Sequence, residues 1–143
     1  MIYSEHFFEH LDPVDAKQFL SESYRLLEPG GIFSVGVPDT QWPLMEYAGV
    51  GDGKWLVTCE VNGWHPPECR TVLDHINYHF RQNDEHRYAY DFETLRRVME
   101  DAGLVNVRER EFDATLDTPN RRVGTLYVEG MKPKDRTEHV TES

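Results

Sequence analysis

Histidine and carboxylate side chains gather at three places along this 143-residue chain. Near the start, His6 is followed by Glu9 and His10. Asp39 closes an apolar run further on. A third group holds His65, His75, His79 and His86 among Cys59, Cys69, Asn77, Arg81, Tyr88 and Tyr90. Histidine changes charge near neutral pH and binds metals readily, so these groups suit proton transfer or coordination. His75 and His79, four residues apart, would share one face of a helix, and Cys59, His65 and Cys69 are also zinc-ligand types. The spacing argues against zinc, because no Cys-x-x-Cys pair occurs and no glutamate stands between the two histidines in the metalloprotease order. No metal site is assigned. The expectation is that His75, Asn77, His79, Arg81, His86, Tyr88 and Tyr90 border a pocket for a small molecule, against ordinary hydrogen bonding as the plainer role for most of them. Glu9 and His10 also suit bracing of a helix start. Asp39 sits where a strand ends, a place that favours either function or capping of the next segment. Arg121 and Arg122 would reach an anionic group or simply solvate a loop.

The elements that must position these residues are legible in part. Ile2 and Tyr3 suit the buried end of a strand. Asp12 can cap a helix with Pro13 at its first position and Asp15 in its first turn. Ala16, Phe19, Leu20, Ser23, Leu26 and Leu27 then share one face. Pro29-Gly30-Gly31 ends that helix. Ile32, Phe33, Val35 and Val37 make a nearly continuous apolar run that Pro38 stops, as in a strand covered on both faces. Strand, crossover helix and second buried strand form a βαβ signal, so the fold class is α/β. From 40 to 90 periodicity fades, although residues near Pro67 to Phe80 have some helical character, and Gly49-Val50-Gly51-Asp52-Gly53 reads as a surface turn. A connection this long belongs to a lid or a binding insertion. Asp91 caps a helix with Phe92, Leu95, Val98, Met99 and Ala102 on one face and Gly103 at its end. Val105 to Phe112 and Thr125 to Met131 alternate as two late antiparallel strands.

With 26 acidic against 15 basic side chains, the formal net charge is -11. A surface that acidic repels phosphate backbones, so nucleic acid is excluded as the expected partner. No apolar run approaches the roughly 20 residues that span a bilayer, and no leader pattern opens the chain, so a cytoplasmic protein without membrane attachment is expected. Two cysteines are too few for a disulfide scaffold. Residues 132–143 read as a charged, frayed tail.

The run Arg25-Leu26-Leu27-Glu28-Pro29-Gly30-Gly31-Ile32-Phe33, continued to Val37-Pro38-Asp39, follows Tyr3-Ser4-Glu5-His6 and Glu9-His10-Leu11. Together these segments resemble the second half of a class I S-adenosylmethionine-dependent methyltransferase, within the group that has a Glu-His-Leu triplet after its fourth strand. The resemblance covers residues 1–131. It implies a Rossmann-like fold from strand four onward, a mixed sheet with an antiparallel C-terminal hairpin, and residues 40–90 as an insertion or lid. S-adenosylmethionine would lie with its methionine half against Tyr3, Ser4, Glu5 and His6. His6 or His10 would act as base for a small-molecule acceptor contacted by Asp39, His79, Arg81, His86 and Tyr88. The family's glycine loop and ribose-binding acid precede these segments and have no counterpart here. The expectation is therefore a partial domain whose first strand is an open sheet edge, covered by a missing N-terminal half or by another copy in a homo-oligomer. The rival reading is a non-catalytic interaction module that retains half of the fold. A third is a small zinc-stabilised domain around Cys59 to His79.

Overall fold

The computed structural model describes residues 1–134; the rest of the sequence-derived tail, 135–143, lies outside the described residues. In chain order the elements are β1 (Ile2–Glu5), α1 (Pro13–Leu26), β2 (Ile32–Pro38), α2 (Gln41–Ala48), α3 (Trp55–Asn62), α4 (Val72–Arg81), α5 (Phe92–Asp101), β3 (Val105–Glu109) and β4 (Thr125–Met131). One-turn 3-10 segments stand at Phe8–His10 and Pro119–Arg121. The molecule is a mixed α/β protein with a four-stranded sheet and five helices.

Local chemistry sets the boundaries. The Asp12 carboxylate accepts from the N–H groups of Val14 at 2.8 Å and Asp15 at 2.9 Å, which satisfies two of the orphan donors at the start of α1. At the other end Gly31 N–H donates to Glu28 O at 2.8 Å, and a Cβ on Gly31 would stand 2.8 Å from that same oxygen. Only glycine allows the chain to turn so tightly into β2. Asp91 caps α5 through Thr94 N–H at 2.8 Å.

The sheet order is β1-β2-β4-β3. β1 runs parallel to β2 with Ser4 beside Val35, and β4 runs antiparallel to both β2 and β3. Among the described residues β1 is therefore an edge, as the sequence suggests. One sheet face is apolar. Phe33, Val35, Val37 and Val128 are wholly buried there against Ala16 and Leu20 of α1 and Leu95 and Met99 of α5. Burying each such side chain favours folding by about 1.5–3 kcal/mol.

The opposite face is polar. Arg110 reaches across it to donate to Ser34 Oγ at 2.8 Å and to Asp117 at 2.6 and 2.7 Å. Tyr3 Oη donates to Asp117 Oδ1 at 3.0 Å, so the loop after β3 is fastened to β1. Gly36 lies under this network, with the Tyr127 ring 3.0 Å from where a Cβ would be.

Three differences from the sequence reading stand out. Residues 40–90 hold three helices with a second apolar cluster of their own, Trp55, Cys59 and Ile76 against Trp42, Leu56, Trp64, Val72 and Phe80. Leu26 is 63% exposed, because the last turn of α1 puts Leu27 on the inward side instead. Lys132 belongs to the fold rather than to the tail. Its N–H and C=O pair with Gly31 and Gly30, and its ammonium donates to Tyr24 O at 2.9 Å and Leu27 O at 2.8 Å, neutralising carbonyls at the end of α1. Among the described residues no helix is long and apolar enough to cross a membrane.

Candidate functional site

At the carboxyl ends of β1 and β2 the chain brings together residues that are far apart in sequence. Pro38 closes β2 opposite Thr125, the first residue of β4. His6 follows β1, and its N–H donates to Gly36 O at 2.8 Å. This places His6 in the left-handed region, φ 49°, which disfavours every side chain but is least unfavourable for Asn, Asp and His. Such local strain persists only where surrounding contacts over-determine it. Here the contacts are the Gly36 bond and a 2.7 Å bond between His6 Nε2 and Thr125 Oγ1.

Phe8 anchors the following turn. It is wholly buried, with ring centroids 6.2 Å from Phe19 and 5.1 Å from Tyr90. That anchoring turns Glu9 inward and leaves His10 half-buried. The Glu9 carbonyl accepts from Arg87 N–H at 2.8 Å and Tyr88 N–H at 3.2 Å, which draws the segment after α4 against the turn and with it His86. The His10 and His86 rings meet edge-on at 5.0 Å. His86 Nδ1 is 2.8 Å from His79 O, and His79 Nε2 is 3.1 Å from Asp39 O, so a line of ring-to-carbonyl bonds ties the turn to the end of β2. Beyond it the Trp55 ring packs against His65, His75 and His79, and His65 and His75 share a bond of 2.8 Å between their Nδ1 atoms. The six histidines among the described residues thus belong to one continuous network.

Burial controls their charge. It lowers His6 to about 4, helped by the nearby Arg121 cation, and lowers His65 and His79 to about 4 as well. His86 shifts downward for the same reason. At neutral pH these rings are neutral, so they offer lone pairs and N–H groups rather than positive charge. Burial pushes Glu9 the other way, up to about 7.

A cavity of about 310 Å³ opens on this network, bordered by His6, His79, His86, Tyr78, Gln82, Trp64, Arg121 and Thr125. It lies where open α/β sheets hold ligands, beyond the carboxyl ends of the strands. A larger hollow of about 650 Å³ lies between α1 and α5, away from the strand ends, and takes in Tyr88 and Tyr90.

The expected site residues divide accordingly. His6, His79 and His86 meet at the cavity, while His10 stands behind His86. Arg81 and Asn77 are exposed and do not border it. Asp39 contributes its carbonyl to His79, but its carboxylate accepts from Gln41 N–H at 2.9 Å, the capping role foreseen as its alternative. Tyr3 is bonded to Asp117, and Glu5 accepts from Thr118 Oγ1 at 2.7 Å. Ser4 Oγ is buried with no hydrogen-bond partner among the described residues. Cys59 is buried in the insert, whereas Cys69 Sγ lies 3.7 Å from Asp74 O, so the two cysteines and the nearby histidines do not converge. Trp64, Tyr78, Gln82 and Thr125 were not foreseen. Only the pairing of β4 with β2 brings Thr125 here, and the left-handed residue Gln82, φ 39°, carries no sequence signal.

No protein-family model matches the chain, and no curated protein matches it. A solved structure of a possible exported protein from Bordetella parapertussis is similar, with 14% identity and a TM-score of 0.53 over 92% of this chain. The chain spans 38% of that protein. At that identity the likeness speaks for a shared mixed α/β architecture and nothing more.

Proposed function

We propose that this chain is the later half of a Rossmann-like methyltransferase domain, acting in the cytoplasm, and that it transfers methyl groups from S-adenosylmethionine to a small molecule. The observation that carries the reading is the convergence of His6, Pro38 and Thr125, from the ends of three neighbouring strands, on one cavity roofed by the 40–90 insert. The parallel β1–β2 pair followed by an antiparallel β3–β4 hairpin is the arrangement the resemblance requires.

When bound, S-adenosylmethionine supplies a methyl group already activated on a sulfonium, so the protein's work is alignment and removal of a proton. The residues fit in part. His6 faces the cavity, whereas Ser4 Oγ, buried without a hydrogen-bond partner among the described residues, does not border it. Tyr3 and Glu5 are held by Asp117 and Thr118 and serve to fix β1. In this reading Thr125 orients His6 through Nε2, which leaves Nδ1 as the atom that takes a proton from the acceptor. Arg121 and Gln82 border the acceptor space, and Trp64 and Tyr78 exclude water from it.

Calorimetric titration of the chain with S-adenosylmethionine and with its demethylated product tests the reading. Saturable binding that survives His6→Ala, with turnover lost, supports it. A folded chain that binds neither compound refutes it. That outcome would favour the interaction module, for which the open outer edge of β1 is the supporting observation.

A further inference from the structure

The turn at Phe8–His10 carries a buried carboxylate that no hydrogen-bond donor among the described residues reaches. Glu9 is 2% exposed, and neither of its side-chain oxygens has a hydrogen-bond partner. Buried carboxylates are normally paired or bound to metal, because an uncompensated one is strongly destabilising. Three imidazole nitrogens surround Glu9 Oε1 instead: His10 Nε2 at 3.6 Å, His86 Nε2 at 3.9 Å and His6 Nδ1 at 3.9 Å.

The far side of each ring assigns its hydrogen. His10 Nδ1 lies 2.8 Å from Glu85 O, and His86 Nδ1 lies 2.8 Å from His79 O. A carbonyl can only accept, so both rings donate from Nδ1 and both Nε2 atoms keep bare lone pairs when neutral. Thr125 gives its hydroxyl hydrogen to Arg121 O, so it accepts from His6 Nε2–H and leaves His6 Nδ1 bare. With Glu9 ionised, one carboxylate and three lone pairs therefore converge with no hydrogen between them. Their separations are too long for hydrogen bonds, which run about 2.7–3.2 Å. They lie close to the roughly 3.3 Å that separates neighbouring ligands around a tetrahedral ion with bonds of about 2.0–2.1 Å.

We propose that Glu9, His10 and His86 bind a divalent cation of the zinc class, leaving a coordination position open toward His6 and the cavity. Oxygen and nitrogen atoms of these three residues all lie within 4.8 Å of one another. Two imidazoles and one carboxylate form a donor set of open, catalytic-type zinc sites. Each ligating ring already has its other N–H on a carbonyl, the outer contact that fixes the tautomer and orients a metal-binding histidine. His79 is a positioning residue, since its carbonyl holds His86 while its own ring is anchored to Asp39 O. His6 stands just outside the set and accepts a hydrogen bond from a water on the cation. The His10 side chain is 33% exposed, which gives the ion a way in. This site shares no ligand with the Cys59 to His79 grouping and does not depend on methyl transfer.

The test is titration of the chelator-treated, full-length chain with Zn²⁺ by calorimetry and with Co²⁺ by visible absorption. One ion per chain is expected, with the cobalt spectrum of a low-coordinate site. Glu9→Gln, His10→Ala and His86→Ala should each weaken binding more than about 100-fold, beyond the 10–100-fold typical of outer contacts. The doubly substituted His65→Ala/His75→Ala chain should bind as the parent does. His10 is the informative position because a half-exposed side chain can be truncated without unfolding the protein. A folded parent that binds no Zn²⁺, parent-like affinity in His10→Ala, or loss of binding in the His65/His75 variant would each overturn the proposal.

Discussion

Replacing Asp117 with alanine should cost about 4 kcal/mol of stability. Its side chain is 0% exposed and accepts four bonds: two from Arg110 at 2.6 and 2.7 Å, one from Asp113 N–H at 2.7 Å and one from Tyr3 Oη at 3.0 Å. Removing it strands the Arg110 guanidinium, itself 11% exposed, with Ser34 Oγ and Glu111 O as its remaining acceptors. Losing one partner of a buried ion pair costs about 3–5 kcal/mol. At about 2.1 cal/mol/K per residue, the unfolding entropy of a chain this size is about 0.3 kcal/mol/K, so Tm should fall by about 10–15 °C. Urea unfolding of the parent, Asp117→Ala, Arg110→Met and the double variant gives the coupling directly. The double variant should be less destabilised than the sum of the singles by at least about 1.5 kcal/mol, because it leaves no lone buried charge. Burial raises the Asp117 carboxyl, but the Arg110, Asp113 and Tyr3 bonds outweigh it and hold the group below its ordinary value. A lowered folded-state value means the contribution is complete above the unfolded value of about 3.9 and is lost as pH falls through the folded one. The gap between parent and Asp117→Asn should therefore close under acid. A loss below about 1 kcal/mol in Asp117→Ala, or additive single effects, would show that the network contributes geometry without energy.

Gly124→Ala forces a side chain onto a backbone at φ +81° and brings it to within 3.0 Å of the Trp64 ring, so a loss of about 1–3 kcal/mol with a changed tryptophan emission is expected. His6→Gly should be more stable than His6→Ala by about 1 kcal/mol, since glycine relieves the left-handed strain that alanine keeps, and thermal melts of the pair measure it. Burial pushes the Cys59 thiol up to about 12 and also raises the more open Cys69, so maleimide should label Cys69 first and reach Cys59 only at the rate of opening, as peptide mass mapping would show.

The sequence was most readable where one local rule decides the outcome. Asp12-Pro13, Pro29-Gly30-Gly31 and Asp91 fix helix ends within a few residues, and the run from Ile32 to Val37 marks a strand covered on both sides. The insert was opaque because its helices are short and face a small cluster of their own, so no long apolar stripe develops. At the site, Glu9 and His10 were visible as a pair, but their convergence with His86 depends on the Glu9 carbonyl holding the segment after α4, a backbone contact that residue types do not encode. Nothing in their types singles out Asp117 or Arg110, and only the pairing of β4 with β2 and β3 puts Arg110 over Ser34 and the Tyr127 ring.

The separate interior of the insert has a mechanical consequence. Trp55, Cys59 and Ile76 hold α3 and α4 together without help from the sheet, and the insert joins the rest at Asp39–Thr40 and at three successive left-handed residues, Gln82, Asn83 and Asp84. It can swing as a preformed flap whose own interior stays dry, giving up the His79 bond to Asp39, the His86 bonds to His79 O and Arg81 O, and the Trp64 contact at Gly124. Amide exchange should then separate into two cooperative units, with β2 protected by global unfolding and α3 by a cheaper, sub-global opening. Traffic into the histidine-lined cavity would be timed by a hinge rather than by melting.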